Sequence, residues 1–167
     1  MLNMLLLLFF PAMMAYAACS DLLTMRISNK VSLLLIVGFF IMALLAGLTW
    51  PDIGMHAGVA AITLVVAFSF FAFGWIGGGD AKLAAATVLW IGPEHAMVYL
   101  VFAALYGGGL TLLFLFGRNY SLPAGLLRVG WLVRLHDKSE GVPYGIALAA
   151  AAMMVYPETA IFQIFAS

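Results

Sequence analysis

Six apolar stretches account for most of this chain, at residues 2–20, 31–50, 55–74, 81–92, 95–117 and 142–165. Only 8% of the 167 residues are charged, against about a quarter in a soluble domain. A chain with so little polar surface is an integral membrane protein. In hydrocarbon every backbone N–H and C=O needs a partner within its own segment, so each stretch is predicted to be a helix. Most stretches approach the roughly 20 residues needed to cross a bilayer. The exception, 81–92, must be extended by its flanks or set back inside the bundle. Trp50-Pro51-Asp52, Gly77-Gly78-Gly79 and Gly92-Pro93-Glu94 supply the turns. Pro11 predicts a kink in the first helix, and Gly107-Gly108-Gly109 close packing in the fifth. No repeat or second domain interrupts the pattern, so residues 1–167 read as one membrane-embedded domain.

Charge then orients the bundle. The basic residues are Arg26, Lys30, Lys82, Arg118, Arg128, Arg134 and Lys138. Six crossings put all of them on one side, which marks it as cytoplasmic. The other side carries Asp52, His56, Glu94, His95 and Glu158, and both termini. Within 118–141, Leu126, Leu127, Trp131, Leu132 and Leu135 alternate with Arg128 and Arg134 at helical spacing, which predicts an amphipathic helix on the membrane surface. The expected fold is thus an all-α integral membrane protein. It has about six transmembrane helices, both termini periplasmic, and a cytoplasmic interfacial amphipathic helix. Zero net charge without a basic block argues against nucleic acid as a partner. A single cysteine, Cys19, excludes an internal disulfide and a cysteine-based zinc site, and reads as a small buried side chain. His56, His95 and His136 fall on different loops, so no metal site is expected. No Lys or Arg precedes the first apolar run, which argues for a retained helix over a removable signal.

Two acids stand out. Asp21 follows the first apolar stretch and Asp80 closes Gly77-Gly78-Gly79-Asp80, both at the edge of hydrocarbon, where a carboxylate is costly to keep. Six-helix topology brings both to the same boundary. Close carboxylates resist simultaneous ionisation and share a proton. One then activates water as a base while the other protonates an amide, with no metal or covalent nucleophile. Gly77 and Gly79, lacking Cβ atoms, let a substrate backbone approach closely. Plainer readings exist: Asp21 as a helix-boundary cap, Asp80 as N-cap of a helix beginning at Ala81, Lys82 as a positive-inside anchor. Two other functions compete, a polytopic cation or proton transporter and a non-catalytic assembly subunit. Transport calls for acids near the midplane and a continuous polar path. A non-catalytic subunit predicts tolerance of Asp→Asn at both positions.

Gly77-Gly78-Gly79-Asp80 resembles the Gly-x-Gly-Asp motif of intramembrane aspartic proteases. More narrowly, three blocks resemble the type IV prepilin peptidases, in the small form associated with Flp-type tight-adherence pili. Ala18-Cys19-Ser20-Asp21 leading into Arg26-Ile27-Ser28-Asn29 is similar to the first-aspartate block, with Ser28 where the family often has Pro. Gly77-Gly78-Gly79-Asp80-Ala81-Lys82-Leu83 is similar to the second. Val142-Pro143-Tyr144-Gly145-Ile146-Ala147 is similar to the proline motif of the last helix. The resemblance implies a bacterial inner-membrane aspartic endopeptidase with no cofactor and a dyad of Asp21 and Asp80. Gly77, Gly79, Lys82, Asn29 and Pro143 are implied in support. It also implies prepilin and pilin-like precursors as substrates, cut after a glycine that follows a short basic leader. The lipid bilayer and the pilus-assembly machinery are its other implied partners. The chain lacks the cysteine-rich cytoplasmic segment of the bifunctional members, so no N-methyltransferase activity is expected.

Overall fold

A computed structural model describes residues 2–123 and 125–166, and its regular elements are all helical. In order these are α1 (Leu2–Thr24), α2 (Asn29–Leu45), α3 (Trp50–Ala72), α4 (Gly78–Ile91), α5 (Ala96–Gly117), α6 (Gly130–His136), α7 (Tyr144–Val155) and α8 (Ala160–Ala166). Short 3₁₀ turns lie at Leu126–Arg128 and Tyr156–Glu158. Helix starts follow local chemistry. Thr49 and Asp52 form a capping box around Pro51 at the head of α3. The Ser28 hydroxyl accepts the Lys30 N–H at the head of α2. Serine at this position therefore supplies a cap that proline lacks.

Three helices are long and apolar enough to cross a membrane alone: the Leu6–Thr24 part of α1, then α3 and α5. Exposed Leu33, Val37 and Leu44 on α2, Ile62, Val65 and Phe68 on α3, and Val101, Leu105 and Leu112 on α5 give these helices outer faces suited to lipid. Exposed Trp50 and Trp75 flank α3 at its two ends, where the amphipathic ring favours the headgroup level. The predicted last stretch is two helices. Pro157 sits in the 3₁₀ turn between α7 and α8, which bend 57° relative to each other and together pass as one broken span.

At the centre is α4. Its 14 residues span only about 21 Å, and Ala81 and every residue from Leu83 to Ile91 are buried. The short stretch is set back inside the bundle, packed by α2, α3, α5 and α7. Four alanines, Ala81, Ala84, Ala85 and Ala86, let those neighbours approach closely. Trp90 anchors its outer end. The indole N–H donates to the Leu35 carbonyl at 2.8 Å, and the ring packs against Phe9, Phe10 and Phe39. The turn after α4 requires Gly92, whose φ is +81° and whose missing Cβ is replaced by the His56 ring.

Several local expectations change. Within 118–141, the residues expected to form one amphipathic helix form a 3₁₀ turn at Leu126–Arg128 and the seven-residue α6, with Ala124 outside the described residues. Arg118 organises the segment. Its guanidinium donates to the carbonyls of Leu135, Glu140 and Gly141 at 2.7, 3.0 and 2.7 Å. Cys19 is exposed, because the buried stripe of α1 is Phe10, Met14, Ala17 and Asp21 at spacings of four, three and four. Of the Gly107-Gly108-Gly109 run in α5, only Gly107 is closely packed. A Cβ there would lie 2.8 Å from Tyr144, while Gly108 and Gly109 face open space.

Candidate active site

Asp21 lies in the last turn of α1 and is 5% exposed. A carboxylate near a helix C-terminus is opposed by the helix dipole, so α1 alone gives no reason for an acid here. The reason comes from α7. Pro143 is buried at its N-cap. The N–H of Gly145, one of the first-turn donors without an intrahelical acceptor, donates to Asp21 Oδ2 at 2.7 Å. Gly145 leaves no room for a side chain, since a Cβ would lie 2.8 Å from Oδ2 and 3.0 Å from Asp21 Cβ. Asp21 is therefore held by the partly positive end of a helix 124 positions away.

Asp80 is the third residue of α4 and not its N-cap, because the helix begins at Gly78, three residues before Ala81. The helix begins at Gly78 because the Asp80 carboxylate reaches back and accepts the Gly77 N–H at 3.3 Å. This is the acid half of a capping box whose other half a glycine cannot supply. A Cβ on Gly77 would stand 2.8 Å from Asp80 Oδ2.

One side chain joins the two anchors. Ile27, on the turn between α1 and α2, presents its Cβ to Gly79 at 3.2 Å (measured to an ideal Cβ) and its Cδ1 to Gly145 at 3.0 Å. That turn is fixed by Met25 at φ 55° and by the Ser20 hydroxyl, which donates to the Arg26 carbonyl at 2.9 Å. The head of α4, the end of α1 and the head of α7 thus meet around Ile27. Asp21 and Asp80 thus stand on elements that converge on one side chain, at one end of the bundle.

The other expected site residues fall nearby. Lys82 donates to Asn29 Oδ1 at 3.0 Å, tying the first turn of α4 to the head of α2. The places that Cβ atoms of Gly77 and Gly79 would take belong to Asp80 and Ile27, so their lack of side chains serves first to pack the acids in position. Among the described residues no group of three or more His, Cys, Asp or Glu is placed to hold a metal ion. Sequence reasoning missed Gly145, Ile27 and Arg118. The Pro-x-Gly spacing at a helix start was a usable signal for Gly145. Ile27 and Arg118 carry none, because each acts through contacts between distant segments.

Apolar helices suited to lipid, around two carboxyls each held by a glycine N–H at a helix start, define the class as a membrane protein with two acids at one end of its bundle. The family comparison agrees with that class. Residues 8–112, which include both acids, match the type IV leader peptidase family, and the chain belongs to that family of peptidases. No curated protein and no solved structure matches the chain.

Proposed function

We propose that this protein is an aspartic-type prepilin peptidase. It removes the short basic leader of Flp-like prepilins after a glycine, at the cytoplasmic edge of the bacterial inner membrane. Asp21 and Asp80 are the catalytic pair. One carboxylate takes a proton from water, and the water oxygen attacks the scissile carbonyl carbon. The other, protonated, carboxyl hydrogen-bonds the carbonyl oxygen as it gains charge, and a proton then passes to the leaving amine. The observation that supports this reading is the convergence on Ile27 of the helix ends that carry two acids, 59 positions apart in a membrane chain. Their only side-chain hydrogen bonds among the described residues come from backbone N–H groups.

In this reading α1 to α5 and the bent α7–α8 pair make six crossings, with both termini periplasmic. The end bearing Arg26, Lys30, Lys82, Arg118, Arg128, Arg134 and Lys138 faces the cytoplasm, as loop basicity favours. A prepilin's leader then meets the dyad where its apolar helix leaves the bilayer. Lys82, Asn29 and Pro143 hold the heads of α4, α2 and α7 in register around the acids. Gly77 and Gly79 keep the approach to Asp80 free of side chains. The pilus-assembly machinery receives the cleaved product, and no methylation follows.

The test is co-expression with candidate prepilins, scoring leader removal by mass. Wild type cleaves, while Asp21→Asn and Asp80→Asn each lose processing by at least about 1,000-fold, since each removes one of two groups that act as a unit. Retained processing in either variant, at normal membrane abundance, refutes the dyad.

A further inference from the structure

A second feature lies on the opposite face of α4 from the acids. Lys82, Ala85, Ala86 and Leu89 recur at helical spacing and form the floor of a groove of 540 Å³. Its walls are α2, through Leu33, Ile36 and Phe40, and α3, through an alanine row and Leu64. The groove exists because α2 and α3 both pack onto α4 more than onto each other. It is apolar along its length and polar at one mouth only, where Asn29, Ser32 and Lys82 lie.

That mouth is cationic. The Lys82 ammonium is exposed and rests on an uncharged amide oxygen, that of Asn29, so no carboxylate neutralises it. Arg26 and Lys30 are exposed on the turn and first residues that carry Asn29. A positive charge at the mouth of an apolar slot, with two more close by in the chain, calls for an amphiphile with an anionic head and a hydrocarbon tail. Size points the same way. A helix about 10 Å across with a 5.4 Å pitch fills roughly 420 Å³ per turn, so the groove accommodates little more than one turn of a second helix. A fatty acyl chain, which is thinner, can lie along it.

We propose that the α2–α3 groove is a binding site for an acidic phospholipid. One acyl chain lies over Ala85 and Ala86, and the phosphate lies at Lys82 with Arg26 and Lys30 beside it. The groove lies on the other face of α4 from the acids and shares Lys82 and Asn29 with the supports of the peptidase reading. Because Lys82 stands two residues beyond Asp80, an occupied site also steadies the helix start that carries that acid.

The test is native mass spectrometry of the full-length protein in detergent, incubated with equal amounts of dioleoyl phosphatidylglycerol and dioleoyl phosphatidylcholine. Each basic group near an anionic head is expected to favour retention of the anionic lipid about fivefold. Wild type should therefore retain phosphatidylglycerol at least fivefold over phosphatidylcholine. Lys82→Gln should reduce that preference about fivefold, and Lys82→Arg should keep it. Ala60→Leu, which fills the groove from α3, should abolish retention of both lipids, with thermal unfolding confirming a folded variant. Equal retention of the two lipids by wild type overturns the proposal. So does an unchanged preference in Lys82→Gln, or displacement of bound lipid by a synthetic prepilin helix, which would make the groove a client site.

Discussion

Gly145→Ala is the sharpest probe of how the acids are held. The added methyl would sit 2.8 Å from Asp21 Oδ2, 3.0 Å from Asp21 Cβ and 3.0 Å from Ile27 Cδ1. Three contacts at or near the limit of what real atoms tolerate cannot be relieved by one rotamer change. Two of them come from the acid itself, so Asp21 must move away from α7. The bond lost is the 2.7 Å one from the Gly145 N–H to the carboxylate. A hydrogen bond to a charged group contributes about 1.5–3 kcal/mol. At 1.36 kcal/mol per tenfold in rate, its loss from the reacting geometry lowers kcat/KM by roughly 10- to 150-fold. The assay is leader removal from a purified prepilin in detergent, with kcat/KM taken from initial rates. Gly108→Ala is the control, because a Cβ there meets nothing within 4 Å and replacing a helical glycine by alanine is favourable by about 1 kcal/mol. It should cleave like wild type. If Gly145→Ala is folded and cleaves within about twofold of wild type, the α7 N-terminus does not position Asp21 and the reasoning fails.

Two further substitutions test the supports. Arg118→Gln removes a fork that grips three backbone carbonyls just before Pro143. Cleavage should fall about tenfold, and Arg118→Lys should rescue little, since a point charge cannot reproduce a planar fork; full activity in Arg118→Gln would show that the loop needs no such clamp. Trp90→Phe removes the 2.8 Å bond to Leu35 and part of a fully buried ring. It should destabilise the bundle by about 1–3 kcal/mol, read as a lower midpoint in detergent thermal unfolding, and an unchanged midpoint would deny α4 its outer anchor.

The helices were legible wherever one physical signal decided them. The apolar stretches 31–50, 55–74 and 95–117 became α2, α3 and α5, because backbone satisfaction in lipid leaves few alternatives. The shortness of 81–92 already implied a helix hidden from lipid, as α4 is. Other details were lost where two signals competed. Residues 142–165 read as one helix by hydropathy and form one span broken at Pro157, which restricts the residue before it and cannot donate. The amphipathic spacing over Leu126–Leu135 is short, and it forms a 3₁₀ turn and α6 beside the Arg118 contacts. Cys19 was placed by residue type, but the stripe through Phe10, Met14, Ala17 and Asp21 decides which face of α1 is inside. Topology marked Asp21 and Asp80 as boundary acids but not what holds them, because the Asp21 partner lies 124 residues away.

The way the acids are held bears on what they can do. Among the described residues neither carboxylate accepts a hydrogen bond from Lys, Arg or His; each takes one backbone N–H, from Gly145 or from Gly77. A cation in contact favours the ionised form of its acid and opposes protonation. Placed beside both acids, it would leave two bases and no acid. Helix N-termini instead offer a partial charge and one directed N–H, which orients a carboxyl oxygen without neutralising the group. Lys82, two residues beyond Asp80, is turned to Asn29. The arrangement therefore fixes position without an ion pair, as the proposed exchange of a proton between the two acids requires. A water-splitting pair needs that exchange, and a structural ion pair would forbid it.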